Sequence, residues 1–145
     1  MAKYSVIHIN DTHPTLSIPE IVRILMDDHR LSFDEALDIT KNMVNYTNHT
    51  VLSEALEKWS EELIQRKLPR IYMIIKQIDQ RFCDETKCLG VSNEELNNLR
   101  IIHNGEVRMA NMCVIASGKV NGVSALHTDI IKNRRKEEND MKMWL

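Results

Sequence analysis

Apolar and polar positions fall in blocks along this chain, and the period of the blocks changes. Tyr4 to Ile9 is a short, mostly apolar run that reads as a buried strand. The polar loop Asn10 to Pro14 follows. Ser17-Ile18-Pro19-Glu20 then opens a helix to about Asp28, with Pro19 early in it and Ile21, Ile24 and Leu25 on its apolar side. Ser32 and Glu35 have capping-box spacing ahead of a second helix carrying Ala36, Leu37, Ile39, Met43 and Val44. Asn45 to Ser53 is rich in Asn and β-branched residues, which predicts extended chain turning into a short helix at Glu54 and Ala55.

A helical pattern through Leu63, Ile64 and Leu68 breaks at Pro69, which starts a long helix to about Cys83. Ile71, Ile74, Ile75, Ile78 and Phe82 recur at spacings of three and four and make one buried face. Residues 84–93 read as a loop, and Ser92-Asn93-Glu94-Glu95 opens a short helix to Leu99. Asn104-Gly105 is a strong hairpin dipeptide. A helix from Met109 to about Ser117 stops at Gly118. Val120 to Val123 reads as a tight glycine loop, and Ala125 to Ile131 as the last apolar helix. The pattern predicts a helix-rich α/β unit with one or two short core strands and no internal repeat.

Composition narrows the function more than the fold. The chain has 145 residues, enough for about one domain, with 43% hydrophobic and 28% charged residues. A net charge of −2 offers no general attraction to nucleic acid or to an anionic membrane. No run approaches the ~18 apolar residues of a membrane span. Cys83, Cys88 and Cys113 lack CxxC pairing, which argues against a disulfide scaffold or zinc cage. With no charged-then-apolar secretory pattern at the start, they predict a reducing, cytoplasmic setting, with the thiols as small core or surface groups.

Two polar clusters could carry chemistry. Asp11 and His13 are two apart in a loop, so both side chains can point to one side of an extended segment. His49 lies in a second polar loop, between Asn48 and Thr50. Glu54 and Glu57 are three apart and would share one face of a short helix. If the two loops meet, Asp11, His13, His49 and Glu57 form a polar pocket in an otherwise apolar fold. The plainer alternatives stay open on these residues alone. Asn10, Asp11 and Thr12 can satisfy turn and helix-cap backbone groups, Glu54 and Glu57 can be solvated charges, and Asn121-Gly122 can be a simple turn. Trp59 reads as a packing residue rather than a stacking platform. Asp11, His13 and His49, completed by Glu57, could also hold one metal ion for hydrolysis. A non-catalytic interaction module is a third class of reading. In that class, apolar helix faces such as Ile71 to Phe82 would drive self-association.

Four motifs in order resemble the α-glucan (glycogen) phosphorylase family over roughly residues 5–132. They are Asn10-Asp11-Thr12-His13-Pro14 after an apolar strand; Tyr46-Thr47-Asn48-His49-Thr50 with Glu54-Ala55-Leu56-Glu57-Lys58-Trp59; Leu68-Pro69-Arg70 with Arg81-Phe82; and Arg108-Met109-Ala110 with Val120-Asn121-Gly122-Val123 and Leu126-His127. The resemblance implies an internal piece of the N-terminal half of a Rossmann-like, two-domain glycosyltransferase. It implies that His49 lies against the glucosyl unit whose bond is cut, with Thr50 beside it. It further implies that Asp11, His13, Ala55 and Glu57 line a side cavity by that sugar, and that Asn121, Gly122 and Val123 lie near the same site. The substrates implied are α-glucan and phosphate, giving glucose 1-phosphate.

The same resemblance exposes what is absent. The family uses pyridoxal phosphate through its phosphate group, held by a Schiff-base lysine and a Lys/Arg cluster, and no residue of this chain matches them. Lys41, Lys58, Lys67 and Lys76 fall in helical surface patterns. The isolated chain is therefore expected to be inactive. Two positions depart from the pattern of the family it resembles and take no role on this reading: Asp79, where Asn is usual, and Gly118, since Ala116-Ser117-Gly118 stands where Gly-Ser-His is usual. Residues 133–145 form a divergent charged tail after a family-like unit of 1–132. That predicts an interrupted gene or a chain boundary near Lys132, for which a family-like reading frame beyond Leu145 is the sign to look for.

Overall fold

The computed structural model describes residues 6–10, 12, 14–47 and 57–121, with the side chains of 119–121 outside the description. Strand β1 (Ile7–Asn10) leads into helix α1 (Ser17–Arg23), which runs directly into a π-helical turn (Ile24–Asp28). Helix α2 (Phe33–Met43) and strand β2 (Val44–Thr47) follow. After the undescribed residues come β3 (Lys58–Ser60), α3 (Glu61–Lys67), α4 (Pro69–Cys88) and α5 (Asn93–Leu99). The hairpin β4 (Ile102–His103) and β5 (Glu106–Arg108), helix α6 (Met109–Ala116) and β6 (Lys119–Asn121) complete the order. Helices dominate and the strands are short, as the pattern predicts, but among the described residues the strands are six, not one or two.

They form two sheets. β1, β2 and β6 make a parallel sheet with β2 in the centre. β3, β5 and β4 make a small antiparallel sheet with β5 in the centre. The core lies between the helices and the parallel sheet, and α6 is buried along its whole length. A helix apolar but for Asn111 has no solvent face, so it needs cover on every side.

Local signals explain most boundaries. The Ser32 hydroxyl accepts from the Glu35 N–H, and Ser60 does the same for Leu63. The reciprocal capping box forms at Ser92 and Glu95. Asn104 and Gly105 both have positive φ, the conformation a tight two-residue hairpin requires. Pro69 stands in the first turn of α4, where its missing N–H is no loss.

Several expectations need correction. The first strand begins at Ile7 and is not buried throughout: Ile9 is inside, but Ile7 is 37% exposed and the preceding Val6 is 67% exposed. β1 is a sheet edge, so only one side of it meets the core. The loop expected over 84–93 is largely helix, because α4 continues to Cys88. Gln80 to Asp84 and Arg81 to Glu85 link successive turns there, and buried Thr86 extends the inner face with a polar residue. Val120 and Asn121, read as a glycine loop, lie in β6 through pairing with β2. Glu57 precedes β3 in non-helical chain rather than sharing a helix face with Glu54, which lies outside the described residues. Lys58 likewise is on a strand. Trp59 pairs with buried Val107 yet is 46% exposed, because β3 is an edge strand. The α4 face from Ile71 to Phe82, expected to drive self-association, is packed inside the chain.

Asp79 and Gly118, given no role on sequence grounds, both hold the fold. The Asp79 carboxylate is 2% exposed and accepts from the Ile101 N–H (2.7 Å) and from Arg100 Nη2 (2.7 Å) and Nε (3.2 Å). Arg108 and Asn111 then cap the α5 C-terminus, donating to the carbonyls of Asn97, Asn98, Leu99 and Arg100. Gly118 donates its N–H to the Val44 carbonyl at 2.7 Å, and a Cβ there would lie 2.5 Å from the Lys41 carbonyl oxygen.

Candidate functional site

The parallel sheet organises the candidate site. Its register pairs Asn10 with Thr47 and Thr47 with Asn121, so the carboxyl ends of β1, β2 and β6 lie side by side on one line. Adjacent strands are about 4.8 Å apart, which puts the outer two ends about 10 Å from each other. In open α/β sheets, ligands bind outside the carboxyl ends of the strands, where backbone is held and side chains are free. All three polar segments singled out by sequence leave from these three ends. Asp11 and His13 follow β1, His49 and Thr50 follow β2, and Gly122 and Val123 follow β6.

Of the nine predicted site residues, Asp11, His13, His49, Thr50, Ala55, Gly122 and Val123 lie outside the described residues. Asn121 is described as the backbone end of β6. Glu57 is half-buried, and its carbonyl accepts from the Met109 N–H at 3.2 Å, fixing it at the start of α6.

The turn after β1 is built from backbone and two hydroxyls. Thr12 and Thr15 are both buried. The Thr12 carbonyl accepts from the Thr15 N–H (3.2 Å) and from Thr15 Oγ1 (2.6 Å). Pro14 accepts likewise from the N–H and Oγ of Ser17, which starts α1. Thr12 takes part in this turn through its backbone carbonyl. On its inner side Thr15 Oγ1 meets Cys113 Sγ of α6 at 3.1 Å. Sequence did not single out Thr15, and Cys113 only as a small thiol; no motif marks a pair so far apart in the chain.

Burial pushes the Cys113 thiol up to about 12; the Thr15 hydroxyl opposes the shift and the Glu57 carboxylate adds to it. An unfolded thiol loses its proton near 9, so this group's contribution to stability is fully present below that pH. It is lost as pH rises toward about 12. Cys113→Ser, with no group titrating there, should shift the alkaline unfolding midpoint upward in a circular dichroism titration from pH 9 to 12. An unchanged midpoint would count against a buried neutral thiol.

The described residues contain no group of three or more His, Cys, Asp or Glu arranged to hold a metal. The lysines whose side chains are described do not fit a Schiff-base cofactor. Lys58, Lys67, Lys76 and Lys87 are exposed and Lys41 is only partly covered, whereas such a lysine needs a shielded site beside anion-binding groups.

Comparison with known proteins agrees with the motifs. Residues 1–142 match the family model of carbohydrate phosphorylases. The chain is 52% identical over 131 residues to alpha-glucan phosphorylase 2, cytosolic, of Arabidopsis thaliana, covering 87% of this chain and 16% of that protein. It is 48% identical over 130 residues to the glycogen phosphorylase of Bacillus subtilis (strain 168), covering 88% and 16%. For the brain form of human glycogen phosphorylase the identity is 45% over 130 residues, covering 87% and 15%. The chain thus spans about 16% of the length of these relatives. With ordered motifs, strand ends in register and a family match over nearly its whole length, the chain belongs to the carbohydrate phosphorylase family.

Proposed function

We propose that this chain forms part of the glucosyl-binding pocket of an α-glucan phosphorylase and is inactive by itself. The single observation that carries the reading is the register Asn10–Thr47–Asn121, which starts all three candidate loops from one side of one parallel sheet. In this reading His49 and Thr50 meet the glucosyl unit whose bond is cut. Asp11, His13, Ala55 and Glu57 line the cavity beside it, and Asn121, Gly122 and Val123 close it. Carboxylates, imidazoles and amides suit this task because a sugar presents hydroxyls that both donate and accept. The parallel sheet with helices between β1 and β2 supports a Rossmann-like glycosyltransferase domain.

The complete reaction would break the glucosyl C1–O4 bond of an α-glucan, join C1 to a phosphate oxygen and leave a proton on O4. Pyridoxal phosphate would supply acid–base chemistry through its phosphate group in the complete enzyme, and among the described residues no lysine side chain is suited to hold it. The substrates are then α-glucan and phosphate, and the setting cytoplasmic, as the name of the cytosolic Arabidopsis relative has it for that protein. Two measurements test the reading. Incubation with glycogen, phosphate and pyridoxal phosphate should yield no glucose 1-phosphate; its appearance would overturn the claim of inactivity. Titration of the labelled chain with glucose should move amide signals at the three strand ends, and unmoved signals at saturating sugar would overturn the pocket.

A further inference from the structure

We propose that Thr15 and Cys113 are positioning residues: a buried hydroxyl–thiol latch that holds the turn between Asp11 and His13 against helix α6. The inference rests on the glucosyl-pocket reading for its purpose, but on separate geometry for its existence. Thr12 stands between Asp11 and His13 in the chain, so whatever holds Thr12 sets the origin of both. Thr15 holds it twice, through its N–H and its hydroxyl. A threonine hydroxyl has one proton and two lone pairs. At 2.6 Å from the Thr12 carbonyl that proton is committed. With the thiol neutral, the 3.1 Å contact with Cys113 is met by the S–H donating to Thr15 Oγ1, and only on ionisation would the hydroxyl turn to the sulfur. Burial keeps the thiol protonated at neutral pH, so the donor is always present.

The latch joins two parts of the site. Cys113 is on α6, whose first residue, Met109, donates to the Glu57 carbonyl. Through Thr15, Cys113 and Met109, the β1 turn and Glu57 are tied to one rigid, fully buried helix. Positioning residues of this kind lock the groups that touch a ligand without touching it themselves.

Four variants of the 145-residue chain test this with two readouts. Thr15→Val keeps the shape and removes the hydroxyl; Cys113→Ala removes the donor. Thr15→Ser and Cys113→Ser keep the hydrogen-bonding groups. Amide hydrogen exchange at Thr15 and Ser17 should speed about fivefold in Thr15→Val and Cys113→Ala, with exchange in α4 unchanged, as loss of about one hydrogen bond implies. The serine variants should stay near the parent. Glucose affinity, followed by the amide titration, should fall about fivefold in the first pair and hold in the second. Equal behaviour of Thr15→Val and Thr15→Ser would overturn the latch, since packing alone would then explain it. Parent-like exchange in both Thr15→Val and Cys113→Ala would overturn it as well. Failure of the parent chain to bind glucose would instead sink the pocket reading, with the latch still decided by exchange.

Discussion

Asp79→Ala should lower the unfolding free energy by about 3–5 kcal/mol, the range for removing one partner of a buried ion pair. The carboxylate is 2% exposed and serves three donors. One of them, the Ile101 N–H, is buried and would keep no acceptor, and Arg100, 31% exposed, would keep its charge without its partner. Asp79 stands on α4 and Ile101 just ahead of β4, so the loss would loosen the hairpin that leads into α6. Asp79→Asn keeps an oxygen for Ile101 and gives up only the charge, so it should lose about 1–2 kcal/mol. Urea unfolding of both variants measures the difference. A loss below about 1 kcal/mol for Asp79→Ala would mean that the pair contributes little.

Gly118→His should destabilise this chain by about 3 kcal/mol or more, and Gly118→Ala by about 1–3 kcal/mol. The obstacle is backbone, not a side chain that can swing away. A Cβ would lie 2.5 Å from the Lys41 carbonyl oxygen and 3.6 Å from that of Val44, whose oxygen also accepts the Gly118 N–H. Either β6 moves off β2 or the end of α2 moves. Both disturb the register that aligns the three strand ends. Urea unfolding, with amide exchange at Lys119 to Asn121, should show lower stability and faster exchange. Full stability in Gly118→His would mean that the approach of β6 to α2 is adaptable.

Much of the chain was legible from local rules. Pro69, Ser32, Ser92 and Asn104-Gly105 act within four residues of themselves, so their boundaries follow from the residues at hand. The apolar spacing of Ile71 to Phe82 is likewise a property of one helix. The last turns of α4 escaped because Thr86, a polar residue, occupies the inner face there. β3 escaped because Lys58, Trp59 and Ser60 are polar or half-exposed, and an edge strand has no full apolar face to announce it.

The site divides in the same way. Residue types and their order were enough to mark the segments around Asp11, His49 and Asn121, and to set them in the phosphorylase family, because motif chemistry is written in neighbouring residues. Their alignment was not legible. It depends on the Asn10–Thr47–Asn121 register, on the approach of Gly118 to α2, and on Thr15 meeting Cys113. Each of these joins residues far apart in the chain, and no local propensity encodes such a pairing. Only packing of the shared core decides it, since strand register follows from which faces are buried together.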